Sequence, residues 1–191
     1  MKKTSGILIL LVALSFITIY FVPVWSISLD APQYPEGLGM KIRINEISGD
    51  LKTINGLNHY IGMKTIEPES ITELKIMPYI LGFIIITGIA AGVIKKKSLL
   101  LAWIVMLIII GSAGAYDFWT WEYDYGHNLD PKAAIKVPGM NYQPPLIGSK
   151  QLLNFTAESY PDAGGIILFA GGIIAVIVLL YELKISKPNN A

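Results

Sequence analysis

Two histidines and two methionines are the residues whose types and spacing could do chemistry in this chain: His59, Met63, His127 and Met140. His59 and Met63 stand four apart in Asn55-Gly56-Leu57-Asn58-His59-Tyr60-Ile61-Gly62-Met63, so a helix would put imidazole and thioether on one face. His127 and Met140 supply the same two residue types further along the chain. Imidazole with thioether suits a soft ion, copper(I) above all, and copper is the one cofactor these residues suggest. A second reading gives His59 and His127 a structural role, as hydrogen-bonded groups that tie segments together. Both readings stay open at the level of sequence.

Other chemistries are excluded or unmarked. Cysteine is absent, which removes disulfides, thiol nucleophiles and thiolate-ligated zinc or iron–sulfur centres. No P-loop, dinucleotide fingerprint, nucleophile elbow or HExxH pattern occurs. No serine or threonine of the loops has a histidine at local spacing to activate it, so the chain is not expected to be an enzyme. The net charge of +1 gives no reason to expect nucleic acid as a partner.

The elements that must position the four residues are mostly apolar. With 53% hydrophobic and 15% charged residues, the chain departs from the soluble balance toward that of a membrane protein. A membrane span needs about 20 apolar residues, and four windows approach that length: Gly6–Trp25, Ile76–Ile94, Leu99–Ala115 and Gly164–Leu183. The organisation read from them is a first transmembrane helix in 1–25, an outer loop in 26–75, a transmembrane hairpin in 76–115, a second outer loop in 116–161, and a fourth helix with a tail in 162–191. Met1–Ser5 is basic, but the apolar run after it is too long for a signal peptide and reads as an uncleaved anchor.

Charge orients the bundle. Lys2, Lys3, Lys95, Lys96, Lys97, Lys184 and Lys187 gather at one end with Glu182 the only acid, a balance of +6, while the two long loops carry −5. The positive-inside rule then puts both termini in the cytoplasm and both loops in the periplasm, with the protein multi-pass in the inner (cytoplasmic) membrane. The small residues of Gly88-Ile89-Ala90-Ala91-Gly92, Gly111-Ser112-Ala113-Gly114-Ala115 and Gly164, Gly165, Gly171 and Gly172 are expected to line helix contacts. No ionisable residue is expected at depth, which argues against a proton or ion pump.

The loops read as short mixed elements. Lys41-Ile42-Arg43-Ile44-Asn45 alternates as a half-buried strand does, and Asp50 to Gly62 reads as a helix with Leu51, Ile54, Leu57 and Ile61 on one face. Phe118-Trp119-Thr120-Trp121-Glu122-Tyr123-Asp124-Tyr125 reads as an interfacial aromatic belt with solvated acids, just past the third span. Leu152, Leu153 and Phe155 suggest a short helix along the membrane surface. The expected fold class is an all-α membrane protein, four transmembrane helices under a small extracytoplasmic cap built by the two loops from short helix and strand. Ile42, Ile44, Ile54, Leu57 and Ile61 are expected to be buried together in that cap.

The phrases LDAPQYPEGLGM, INGLNHYIGM, YDYGHNLDP and IKVPGMNYQPPLIG resemble those of a family of small polytopic membrane proteins from bacteria such as Bacteroidota, encoded beside nitrous-oxide reductase genes. The resemblance spans both outer loops. It implies an accessory role in maturation of, or electron or copper delivery to, a periplasmic copper enzyme such as nitrous-oxide reductase, and it carries no catalytic residues. The partners it implies are a periplasmic copper protein or chaperone and other membrane subunits, besides the lipid bilayer. The known copper chaperone of that system is a lipoprotein, and this chain lacks the lipobox cysteine, so the resemblance implies a membrane partner of such a chaperone. The alternative function is that of a purely structural subunit in a larger membrane complex.

Overall fold

The computed structural model describes residues 1–185; Lys187 and the rest of the tail lie outside the described residues. The chain runs as α1 (Lys3–Ser15) continued by a 3-10 turn (Phe16–Tyr20), then β1 (Trp25–Ala31), β2 (Tyr34–Ile42), β3 (Ile47–Gly49), α2 (Leu51–Ile61) and a 3-10 turn (Pro68–Ser70). It continues as α3 (Thr72–Ile94), α4 (Lys97–His127), β4 (Gly148–Leu152), β5 (Phe155–Pro161) and α5 (Ala163–Ile185). Among the described residues four helical stretches are long and apolar enough to cross a membrane: Lys3–Tyr20, Thr72–Ile94, Lys97–His127 and Ala163–Ile185. Leu11, Ile86, Ile109 and Ile173 stay exposed on their outer faces, a pattern compatible with lipid contact.

The bundle is closed by small residues where helices cross. A Cβ on Gly92 would meet the Gly6 carbonyl at 2.9 Å, so α1 and α3 approach at backbone distance only because both residues lack side chains. Gly88 leaves room for Trp103, whose ring nitrogen donates to the Ile84 carbonyl at 2.9 Å. A Cβ on Gly111 or Gly172 would find nothing within 4 Å among the described residues, so the expectation that they line helix contacts is corrected. Glu182 also departs from expectation. It is 3% exposed, and its Oε1 accepts from the Ser5 hydroxyl at 2.6 Å and the Lys2 backbone amide at 2.7 Å. Lys97 Nζ lies 3.8 Å from its other oxygen, so the fourth span does hold a buried acid, paired at the lysine-rich end.

The all-α expectation is corrected by a five-stranded antiparallel sheet of order β3-β2-β1-β5-β4 at the opposite end of the bundle. Its central pairing joins the two loops: β1 and β5 run from Trp25 against Pro161 to Asp30 against Thr156. The first helical stretch therefore ends at Tyr20 instead of reaching Trp25, which opens β1. The alternation Ile27, Leu29 with serines between is the period-two pattern of a strand half-covered by other elements. Leu152, Leu153 and Phe155 form a hairpin, not a surface helix: Leu152 pairs with Phe155 across a two-residue turn in which Leu153 has φ 56°.

α2 lies on this sheet as its amphipathic pattern requires, ended by Gly62 at φ 81°. Ile54 packs with Ile27, Met40 and Ile47, joined at the margin by Ile42 and Leu57. Two of the five expected residues fall outside this cluster: Ile61 is buried at the end of α2 without joining it, and Ile44 lies beyond the end of β2 and packs onto the helix bundle instead.

Candidate functional site: a cavity under the cap

α4 positions the site by being longer than a span. At 31 residues it exceeds by about ten the length that crosses a hydrocarbon core of about 30 Å. Phe118 already lies edge-on to Trp25 of β1, ring centroids 5.6 Å apart, so the helix from there onward stands in the cap. The helical period sorts its aromatic residues into two ladders. Tyr116, Trp119, Tyr123 and His127 follow one another on the outer side, with the Tyr123 and His127 rings stacked at 3.9 Å. Phe118, Trp121 and Tyr125 form the other ladder, and these three pack against the cluster shared by the sheet and α2.

Glu122 goes with the inner ladder. It is 1% exposed, and among the described residues neither carboxylate oxygen has a hydrogen-bond partner. The expectation of a solvated acid in an interfacial belt is therefore corrected, because continuation of α4 turns this residue under the sheet. Burial pushes its carboxyl up to about 8, since the charged form loses water and gains no donor in return. Asp124, two residues on, faces out and behaves oppositely: hydrogen bonds from Lys64 and Asn128 hold its carboxyl below the usual range.

The carboxylate opens on a cavity of about 70 Å³ bounded by the sheet, α2, α4 and the segment before β4. Trp121, Tyr125 and Phe155 give it aromatic walls, Met40 and Met63 give it thioethers, and Asn58 and Tyr142 are its other polar residues. Tyr142 is 2% exposed, and its hydroxyl likewise has no hydrogen-bond partner among the described residues. Its backbone is held against α4 at Gly126, where a Cβ would collide with the Gln143 backbone. Asn58 is buried and donates to the Lys64 carbonyl at 3.4 Å.

Of the four residues singled out from sequence, only Met63 borders this cavity. His59 is exposed on α2, 6.1 Å from the Tyr60 ring. His127 ends α4 with Nδ1 3.0 Å from the Tyr123 carbonyl, and Met140 is half-buried after the turn at Gly139. The segment after His127 does dock on the end of α2, through Asp130 N to Gly62 O at 2.8 Å and Ile135 N to Tyr60 O at 2.9 Å. Among the described residues no group of three or more His, Asp or Glu side chains is arranged to hold a metal ion.

Sequence reasoning missed Glu122, Tyr142 and Asn58. The legible signal for the first was spacing: Phe118, Trp121, Glu122 and Tyr125 continue the one-face period of a helix past Ala115. No family model, no curated protein and no solved structure matches this chain.

Proposed function

We propose that this chain is an accessory integral membrane protein whose periplasmic cap is a ligand-receiving module, without catalysis of its own. The observation that carries the reading is Glu122, a carboxyl group buried in the cap beside a cavity with both oxygens unpartnered among the described residues. A buried polar group without a partner destabilises the fold, and a site that receives a donor accounts for such a group where packing alone does not. The orientation rests on Lys2, Lys3, Lys95, Lys96 and Lys97 at the end of the bundle opposite the sheet.

The test is calorimetric titration of the detergent-solubilised chain and its Glu122→Gln variant with small amines, amides, alcohols and carboxylic acids. A solute bound in a Glu122-dependent manner supports the module. Absence of any such solute leaves the cap as a structural part of a larger complex.

A second reading keeps copper. The docking of the His127 segment on the end of α2 brings the two histidine-bearing loops together, which favours His59, Met63, His127 and Met140 as transient ligands for copper(I) passed to or from a periplasmic copper protein. Copper(I) affinity of the chain beside a His59→Ala, His127→Ala double variant tests it, and equal affinities remove it.

A further inference from the structure

We infer that the cap cavity receives a compact primary ammonium group, with Glu122 as its counter-ion and Tyr142 as a further acceptor. The inference rests on the reading of the cap as a ligand-receiving module and names the class of ligand.

Three buried side-chain oxygens lack a partner among the described residues: the two of Glu122 and the hydroxyl of Tyr142, and both residues border one cavity. A primary ammonium carries three N–H donors and no acceptor, the complement of that set. Charge sorts the alternatives. An anion would meet an acid that can only become negative, and a neutral alcohol brings one donor where three oxygens can accept once the acid is ionised. A hard divalent ion such as calcium takes six or more oxygens, twice what the cavity leaves open.

The walls and the volume agree. Trp121, Tyr125 and Phe155 contribute aromatic rings to a lining that is otherwise mostly aliphatic, and the face of such a ring attracts a desolvated cation. A volume of about 70 Å³ is far below the ~300 Å³ or more of pockets that enclose drug-sized molecules. It suits ammonium, methylammonium or the tip of a longer amine whose remainder stays outside. Among the described residues Asp124 is engaged by Lys64 and Glu122 by none, so a lysine partners the outer acid and not the inner one.

The experiment is calorimetric titration of the full chain, in nanodiscs and phosphate buffer free of amines, with methylammonium chloride against sodium chloride at equal ionic strength. Saturable binding of methylammonium is expected, with sodium silent, affinity lowered about tenfold or more by Glu122→Gln and several-fold by Tyr142→Phe. Tetramethylammonium keeps the charge and lacks the N–H donors, so it should bind at least about tenfold more weakly. No saturable methylammonium binding, equal binding by tetramethylammonium, or equal affinity in a folded Glu122→Gln variant overturns the inference. If that variant does not fold, the comparison of the three cations on the unaltered chain decides. Glu122-dependent binding of acetamide or methanol without methylammonium overturns the ammonium assignment and leaves the ligand-receiving module standing, whereas silence of every solute overturns both.

Discussion

The backbone amide of Tyr142 donates to the carbonyl of Gly126 at 3.0 Å, and this bond ties the segment before β4 to the turn of α4 next to Glu122. The contact is possible only because residue 126 has no side chain, since a Cβ there would run into the backbone of Gln143. Gly126→Ala should therefore destabilise the cap by about 1–3 kcal/mol, even though alanine is the better helix former by about 1 kcal/mol. Thermal unfolding followed by tryptophan fluorescence reads it, and an unchanged or raised midpoint would mean that the loop is not seated on the helix.

The buried carboxylate makes stability depend on pH in the direction opposite to most acids. Its unfolded value is near 4.5 and its folded value about 8, so the folded state holds the proton more tightly. The contribution of Glu122 is fully present below pH 4.5 and is lost as pH rises to about 8, at about 1.4 kcal/mol per pH unit, a few kcal/mol in all. Unfolding of the chain and its Glu122→Gln variant across that range should show the gap between them narrowing or reversing toward pH 8. Parallel curves would place Glu122 in contact with water.

Leu153 holds φ 56° in the turn between β4 and β5, a conformation that costs a leucine about 1–2 kcal/mol and a glycine almost nothing. Leu153→Gly is expected to leave the hairpin intact and to raise stability by up to about 1 kcal/mol. By contrast, Leu152→Ala empties a position that is 1% exposed and should cost about 2–5 kcal/mol. Paired denaturation curves check both signs at once.

Asp162 is held below the usual carboxylate range first by the hydrogen bond from Lys41 and then by the Ala163 amide. Its contribution runs the usual way, present above pH 3.8 and lost as pH falls. Because the Lys41 side chain is 54% exposed, Asp162→Asn should cost under about 1 kcal/mol at neutral pH. A larger loss would mean that this pair, which links β2 to the strand–helix junction before α5, carries the packing of the cap onto the bundle.

Orientation has its own measurement. The lysine-rich end is expected on the cytoplasmic side, so a tag placed after Ala191 should stay protected from an impermeant label in intact cells. Labelling without lysis would invert the bundle and place the cap in the cytoplasm.

The sequence by itself determined the parts whose signal is local. Four apolar runs and the helix from Leu51 to the left-handed Gly62 are each written in consecutive residues, because a helix is made of contacts three and four apart, and the lysines flanking those runs mark one end of the bundle. What only the tertiary structure decided depends on residues far apart in the chain. β1 and β5 pair across more than a hundred residues, and neither strand shows alone that it has a partner or that Trp25 leaves the helix to begin one. The fate of Glu122 turned on the same point. Its neighbours Trp119, Trp121, Tyr123 and Tyr125 form an aromatic and acidic stretch that would suit a membrane surface, and only the sheet and α2 folding over one face of α4 separate the buried acid from the solvated Asp124 two residues away.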